Sequence, residues 1–203
     1  MRARSEARAC VSVPLRIGFV TGATPDKWAR SWRTQRREPL ELVPVTEADQ
    51  LDGVRDGTLD MALVRLPADT DGLHCVRLYD EVQVAAASRE HLIAAADDQI
   101  TTADLVDEQL VRPHASGWTP DAEQLAWPAM SEQDAIETAA AGSGIVILPM
   151  SVARLHQRKD VVTRVVADLA PTTIALVWRI ERDDEVTQTF VGVTKGRTAR
   201  SSR

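Results

Sequence analysis

The stretch running from Leu15-Arg-Ile-Gly-Phe-Val20 to Met61-Ala-Leu-Val-Arg65 decides the fold. Its first segment alternates apolar with small or polar residues, the period of a strand. Thr21-Gly-Ala-Thr24-Pro25 then breaks it; Pro25 suits the first turn of a helix and Thr24 its N-cap. The helix predicted to about Arg37 places Trp28 and Trp32 four apart on one face, with Lys27, Arg30, Arg33, Arg36 and Arg37 over much of the rest. Leu40-Glu-Leu-Val-Pro-Val45 reads as a second strand. Thr46-Glu-Ala-Asp49 has the form of a capping box, opening a helix through Leu51 and Val54 that stops at Gly57. Pro67 closes the third strand. Strand, helix, strand, helix, strand implies two right-handed crossovers and a parallel sheet with helices on its faces.

Further along, Val82-Gln-Val-Ala-Ala86 reads as a strand, Ser88 caps a short helix through Leu92 to Ala96, and Thr102 caps another through Leu105. Gln109-Leu-Val-Arg112 is predicted as a strand, followed by an irregular stretch from Pro113 to Pro128 with Trp118 and Trp127. Ser131-Glu-Gln-Asp134 again has capping-box form and opens a helix that ends at Gly142. Ile145-Val-Ile-Leu148, Val161-Val-Thr-Arg-Val-Val166 and Thr173-Ile-Ala-Leu-Val-Trp178 read as strands. Helices are expected from Ser151 to about Gln157 and from Asp184 to Gly192. The class is α/β, with no repeat and no linker inside residues 15–193.

With 203 residues, 44% hydrophobic and 27% charged, the composition excludes collagen, coiled coil and wholesale disorder. No apolar run approaches the length of a membrane span, and no apolar segment follows the basic start as a secretory signal requires. Cys10 and Cys75 form neither CxxC nor a disulfide framework. A cytoplasmic setting with reduced thiols is expected. Residues 1–10 carry net +2 and the last nine residues +4, so the total of −6 leaves −12 on the body between them. An acidic body repels phosphate backbones and makes a poor nucleic-acid surface. The tail from Lys195 to Arg203 reads as a solubilising end, with contact to an anionic partner as the alternative.

No named catalytic set is present, so an enzyme is not expected. Gly142-Ser-Gly144 follows a helix and precedes a strand, the reverse of a phosphate-binding loop, and is not Gly-x-Ser-x-Gly. His74, His91, His114 and His156 lack metal-ligand spacing, and Asp97-Asp98 and Asp183-Asp184 look like solvated loops. No cofactor is implied. Ligands of open parallel sheets bind beyond the carboxyl ends of the strands, where helix N-termini also point. Thr21, Gly22, Ala23 and Thr24 after the first strand meet that description. So do Arg65 ending the third, Arg112, His114 and Ser116 after a later one, and Met130-Ser131 at a helix start. Hydroxyls, backbone N–H groups and two arginines suit a small anionic or polar ligand, a carboxylate above all. Simple capping by Thr24 and Ser131 is the alternative. For Trp28 and Trp32 two readings stand: core beneath the sheet, or an Arg-rimmed dimer interface.

These residues resemble a family. Leu15-Arg-Ile-Gly-Phe19 followed by Leu51-Asp-Gly-Val-Arg-Asp-Gly-Thr-Leu-Asp-Met-Ala-Leu-Val-Arg65 is similar to the opening of the effector-binding domain of LysR-type transcriptional regulators. Leu78-Tyr-Asp-Glu81, Ser88-Arg-Glu-His91-Leu, Thr102-Ala-Asp-Leu105, Ala140-Ala-Gly-Ser-Gly-Ile-Val-Ile-Leu-Pro-Met-Ser151 and Ile174-Ala-Leu-Val-Trp178 continue the match in order. The resemblance implies a two-lobed fold like type 2 periplasmic binding proteins, two small Rossmann-like lobes joined by hinge strands. Lobe I would take 15–82 and 168–193, lobe II 88–160, with 1–14 an extension and 194–203 a basic tail. It also implies a small-molecule effector in the interlobe cleft, touching Thr21 to Thr24, the region of Arg112 to His114, and Met130 to Ser131. A homodimer is implied as well. Only fourteen residues precede Leu15, too few for the family's winged helix-turn-helix, and segment 112–130 is short for it. Direct operator recognition is therefore not expected, and regulation would run through a partner such as a full-length regulator. The alternatives are a transporter's solute-binding protein and an interaction module with a dead cleft.

Overall fold

The computed structural model describes residues 13–196; Cys10, the basic start and most of the basic tail fall outside them. In chain order the elements are β1 (Leu15–Val20), α1 (Asp26–Gln35), β2 (Leu40–Val45), α2 (Asp52–Asp56), β3 (Met61–Leu66), β4 (Leu73–Glu81), β5 (Gln83–Ser88) and β6 (Gln99–Ile100). They continue with α3 (Glu132–Ala140), β7 (Val146–Pro149), α4 (Met150–Leu155), β8 (Val161–Val166), β9 (Thr172–Arg179) and α5 (Glu185–Thr194).

β1 pairs in parallel with β2 on one side and β3 on the other, as the two crossovers require. Beyond β3 the sheet turns antiparallel, and its full order is β2-β1-β3-β9-β4. β4 was not foreseen. Its burial alternates imperfectly and its register with β9 shifts between Arg77 and Tyr79, so the period-2 signal is broken. The second sheet runs β6-β8-β5-β7, antiparallel except for the short β6–β8 pair. The chain passes from the first sheet to the second between Glu81 and Gln83 and returns between Val166 and Thr172. Two α/β lobes joined by two crossings result. No helix among the described residues is long and apolar enough to cross a membrane.

Trp28 and Trp32 are core, not interface. Trp32 is fully buried, stacks edge-on against Phe190 of α5 at 5.8 Å, and donates from Nε1 to the Glu38 carbonyl at 2.8 Å. Truncating such a side chain costs about 3–5 kcal/mol. The basic residues of α1 take the opposite, exposed face, and Arg36 pairs with Glu185.

Four caps differ from the sequence reading. Thr24 is exposed and caps nothing: Pro25 itself occupies the N-cap position, and its carbonyl accepts from Trp28 and Ala29. Ser88 stays on the ladder opposite Val161, so the following segment forms a 3₁₀ turn, Leu92–Ala95, capped by His91 Nδ1. The capping box of the next 3₁₀ turn belongs to Thr101 and Asp104, while Thr102 donates to Asp168. Asp184, expected in a solvated loop, caps α5 by accepting from Val186 and Thr187, and Asp183 accepts from Trp178. The Ser131–Asp134 box and the left-handed Gly57 stop are as expected.

Gln109 to Arg112 makes one parallel bridge, Leu110 to Ile145, instead of a strand. Glutamine side chains substitute for the missing ladder. Gln109 donates to the Glu123 carbonyl and accepts from the Leu125 N–H, while Gln124 accepts from the Leu110 N–H. The backbone is thereby satisfied without a neighbouring strand.

Candidate functional site

Arg65 ends β3 at the carboxyl edge of the parallel strands and is only 2% exposed. Gln50 fixes its backbone by accepting from the Arg65 N–H at 2.7 Å and donating to its carbonyl at 3.1 Å. The guanidinium donates to the Thr21 carbonyl at 3.0 Å and to Thr172 Oγ1 at 3.1 Å, and pairs with the nearly buried Glu81. Nε lies 3.4 Å from Glu47 Oε2, an ion-pair contact whose alignment makes no hydrogen bond. A buried arginine held this way is fixed in place; it lines one cavity and bonds Thr21 and Glu81, which line another.

The larger, of about 800 Å³, lies between the β1 end, α1 and α4. Thr21, Gly22, Ala23 and Thr24 line it together with Phe19, Trp28, Tyr79, Ser151 and Arg154. Gly22 is required here: its φ is +87°, and a Cβ would collide with Ser151 Oγ. Burial, with Glu81 nearby, pushes the Tyr79 hydroxyl up to about 12.

The smaller, of about 210 Å³, is a polar cleft between the two sheets. Glu47, Arg65 and Thr172 line it from the first sheet's side. Gln83, Arg112, His114 and the segment Ile147 to Pro149 close it from the other. Arg112 Nη2 lies 3.0 Å from Glu132 Oε1, so α3 anchors that arginine. His114 accepts on Nδ1 from the Ser116 N–H at 3.3 Å and sits 2.7 Å from Ser116 Oγ, which leaves the neutral ring's proton on Nε2. Desolvation holds His114 below the usual histidine range, favouring that neutral form. Two buried polar atoms here have no partner, Arg65 Nε and Gln83 Oε1. An unpaired buried group of this kind costs about 1–3 kcal/mol.

The expected site residues therefore divide. Thr21 to Thr24 line the larger cavity; Arg65, Arg112 and His114 line the cleft; Ser116 supports His114. Met130 packs against the core around Ile136, and Ser131 caps α3; neither lines these cavities. Sequence reading passed over Glu47, Thr172 and Gln83. Gln83 had a signal: a glutamine opening the run Val84-Ala-Ala-Ala87, which is buried throughout. Among the described residues no three His, Cys, Asp or Glu side chains gather as a metal site would need.

The family model described as LysR substrate binding domain matches residues 15–199. No curated protein sequence matches the chain significantly. Among solved structures, the BenM effector-binding domain with its effector benzoate is 20% identical, with TM-score 0.73 and coverage of 90% of each chain. Corynebacterium glutamicum OxyR, as a C206S mutant bound to H2O2, is 21% identical with TM-score 0.69, covering 93% of this chain and 69% of that one. Full-length CbnR complexed with its target DNA is 18% identical with TM-score 0.68, covering 90% and 70%. At these identities the structures show a shared fold. The family match over nearly the whole length shows more: the chain belongs to the LysR substrate-binding domain family, whose members are parts of regulators rather than enzymes.

Proposed function

We propose that this chain is the effector-sensing part of a LysR-type regulatory system and that its ligand binds in the cleft beside Arg65. One observation carries the reading: a small cleft, walled by both sheets, holds two buried polar atoms without a hydrogen bond, Gln83 Oε1 and Arg65 Nε, the latter with only a misaligned ion-pair contact to Glu47. Such atoms favour a ligand that pairs with them. At about 210 Å³ the cleft falls below the roughly 300–1,000 Å³ of common ligand sites, which restricts the effector to a small metabolite. Arg65, Gln83, Arg112 and His114 are the proposed contacts.

We take lobe I as 15–82 with 168–193 and lobe II as 88–160, although the second sheet's β5 and β8 extend beyond both bounds of lobe II. A ligand touching both lobes shifts the population towards a closed arrangement. BenM's effector domain carries benzoate and full-length CbnR is bound to its target DNA, which supports a regulatory role for this relative. An acidic body supports action through a partner regulator rather than direct operator reading, as a cytoplasmic homodimer. Light scattering at micromolar concentration is expected to give twice the chain mass; a monomer mass contradicts the dimer. Equal binding to operator and scrambled duplexes is expected, and a strong preference for one contradicts the partner route.

A thermal-shift screen of small carboxylates, amino acids and aromatic acids tests the cleft. A ligand at about a hundred times its Kd adds roughly 2.7 kcal/mol. The shift is expected to vanish in Arg112→Ala and in His114→Ala. Hits that survive both substitutions place the ligand elsewhere and contradict the reading.

A further inference from the structure

We propose that the cleft beside Arg65 takes a small zwitterion, an α-amino acid, in preference to a simple carboxylate; the proposal rests on that cleft being the effector site. Both cations facing the cleft are already matched. Arg65 pairs with Glu81 and contacts Glu47, and Arg112 pairs with Glu132. Two arginines thus stand against three glutamates. A lone carboxylate entering there meets a site with no positive charge to spare, so its desolvation is poorly compensated. A lone amine leaves the other need in place, because Arg65 Nε has only the misaligned Glu47 carboxylate at 3.4 Å and makes no hydrogen bond.

The unpaired atoms state what the ligand must supply. Arg65 Nε requires an acceptor and Gln83 Oε1 a donor, and both residues are at most 2% exposed. Both atoms are closed off in this arrangement, so pairing them requires a ligand to arrive with some adjustment of the cleft. An α-amino acid carries both functions one carbon apart with no net charge. Its carboxylate would face Arg65 and Arg112; its ammonium would face Gln83 Oε1 and the carboxylate of Glu47. The small volume admits short side chains only. Sites built to hydrogen-bond a ligand group strongly reject the analogue lacking it, since their own polar groups are then stranded.

The experiment titrates the full chain calorimetrically with each standard amino acid that shifts its Tm, alongside the matching acid without the amine and the amine without the carboxylate. For alanine these are propionate and ethylamine. The expected result is an amino acid that binds at least tenfold tighter than both analogues. Gln83→Leu is expected to reduce that preference over the acid analogue to less than about threefold, and its Tm without ligand should stay at or above wild type. Gln83→Met serves if the leucine variant misfolds. An acid analogue that binds as tightly as its amino acid overturns the zwitterion inference and leaves the cleft reading intact. No binding by any amino acid also overturns it. An amino acid bound equally by wild type, Gln83→Leu and Arg112→Ala sits elsewhere, and both readings fail together.

Discussion

The two cavities near Arg65 have no lining residue in common and differ in chemistry. The larger takes its walls from Phe19, Trp28 and Tyr79, residues that also pack the first lobe's core, and its shape depends on Gly22 leaving room for Ser151. The smaller has polar groups from both sheets and leaves two of them unpaired. Size alone would select the larger as the ligand site. Unpaired buried polarity occurs in both, since Ser151 Oγ on the larger also lacks a partner. Only the smaller strands atoms of two side chains brought from two different sheets, a donor and an acceptor that stay costly until something pairs them.

The largest test of this contrast removes the arginine that lines the smaller cavity and bonds Thr21 and Glu81 on the larger. Arg65→Met keeps the bulk but leaves Glu81 as a nearly buried charge without its partner. A loss of about 3–5 kcal/mol is expected in urea unfolding, most of it recovered when Glu81→Gln is added. A loss under 1 kcal/mol in the single variant would show that the pair does not hold Arg65 in the cleft wall.

Gly22→Ala is expected to cost about 1–3 kcal/mol, since alanine is strained at φ +87° and collides with Ser151. Adding Ser151→Gly should return the part due to collision and keep the part due to φ. No recovery would mean that the β1 end and α4 are not in contact, and the larger cavity would lose its roof.

The smallest effect concerns His114. Its folded pKa lies below the unfolded value, so the unfolded chain binds the proton more readily. Stability from this group is fully present above the unfolded pKa of about 6.5 and is lost as pH falls below it. Unfolding free energy measured from pH 7.5 to 5.0 should fall less steeply in His114→Gln than in wild type. Parallel curves would place His114 in water rather than in the cleft wall.

Periodicity reveals local structure better than it reveals chemistry in this chain. β1, β2, β3, the helix stop at Gly57 and the helix start at Ser131 follow from short-range rules, and the structure keeps them. β4 escapes because a bulge breaks its alternation, and the Gln109 segment misleads because two glutamine side chains stand in for a strand neighbour. Arg65 was picked out by its place at a strand end, yet nothing local shows that Glu81, 16 residues away, and Thr172, 107 away, occupy its guanidinium. The cleft's unmet polarity is a long-range property. It depends on Gln83 and Arg65 being brought together by two different sheets.

Hydrogen exchange with and without a ligand found by the screen tests the central claim most directly. Binding in the cleft predicts added protection at Gln83, at Val111 to Ala115 and at Ile147 to Leu148, with residues 21–27 unchanged. Protection confined to residues 21–27 and 151–155 would put the ligand in the larger cavity and contradict the account.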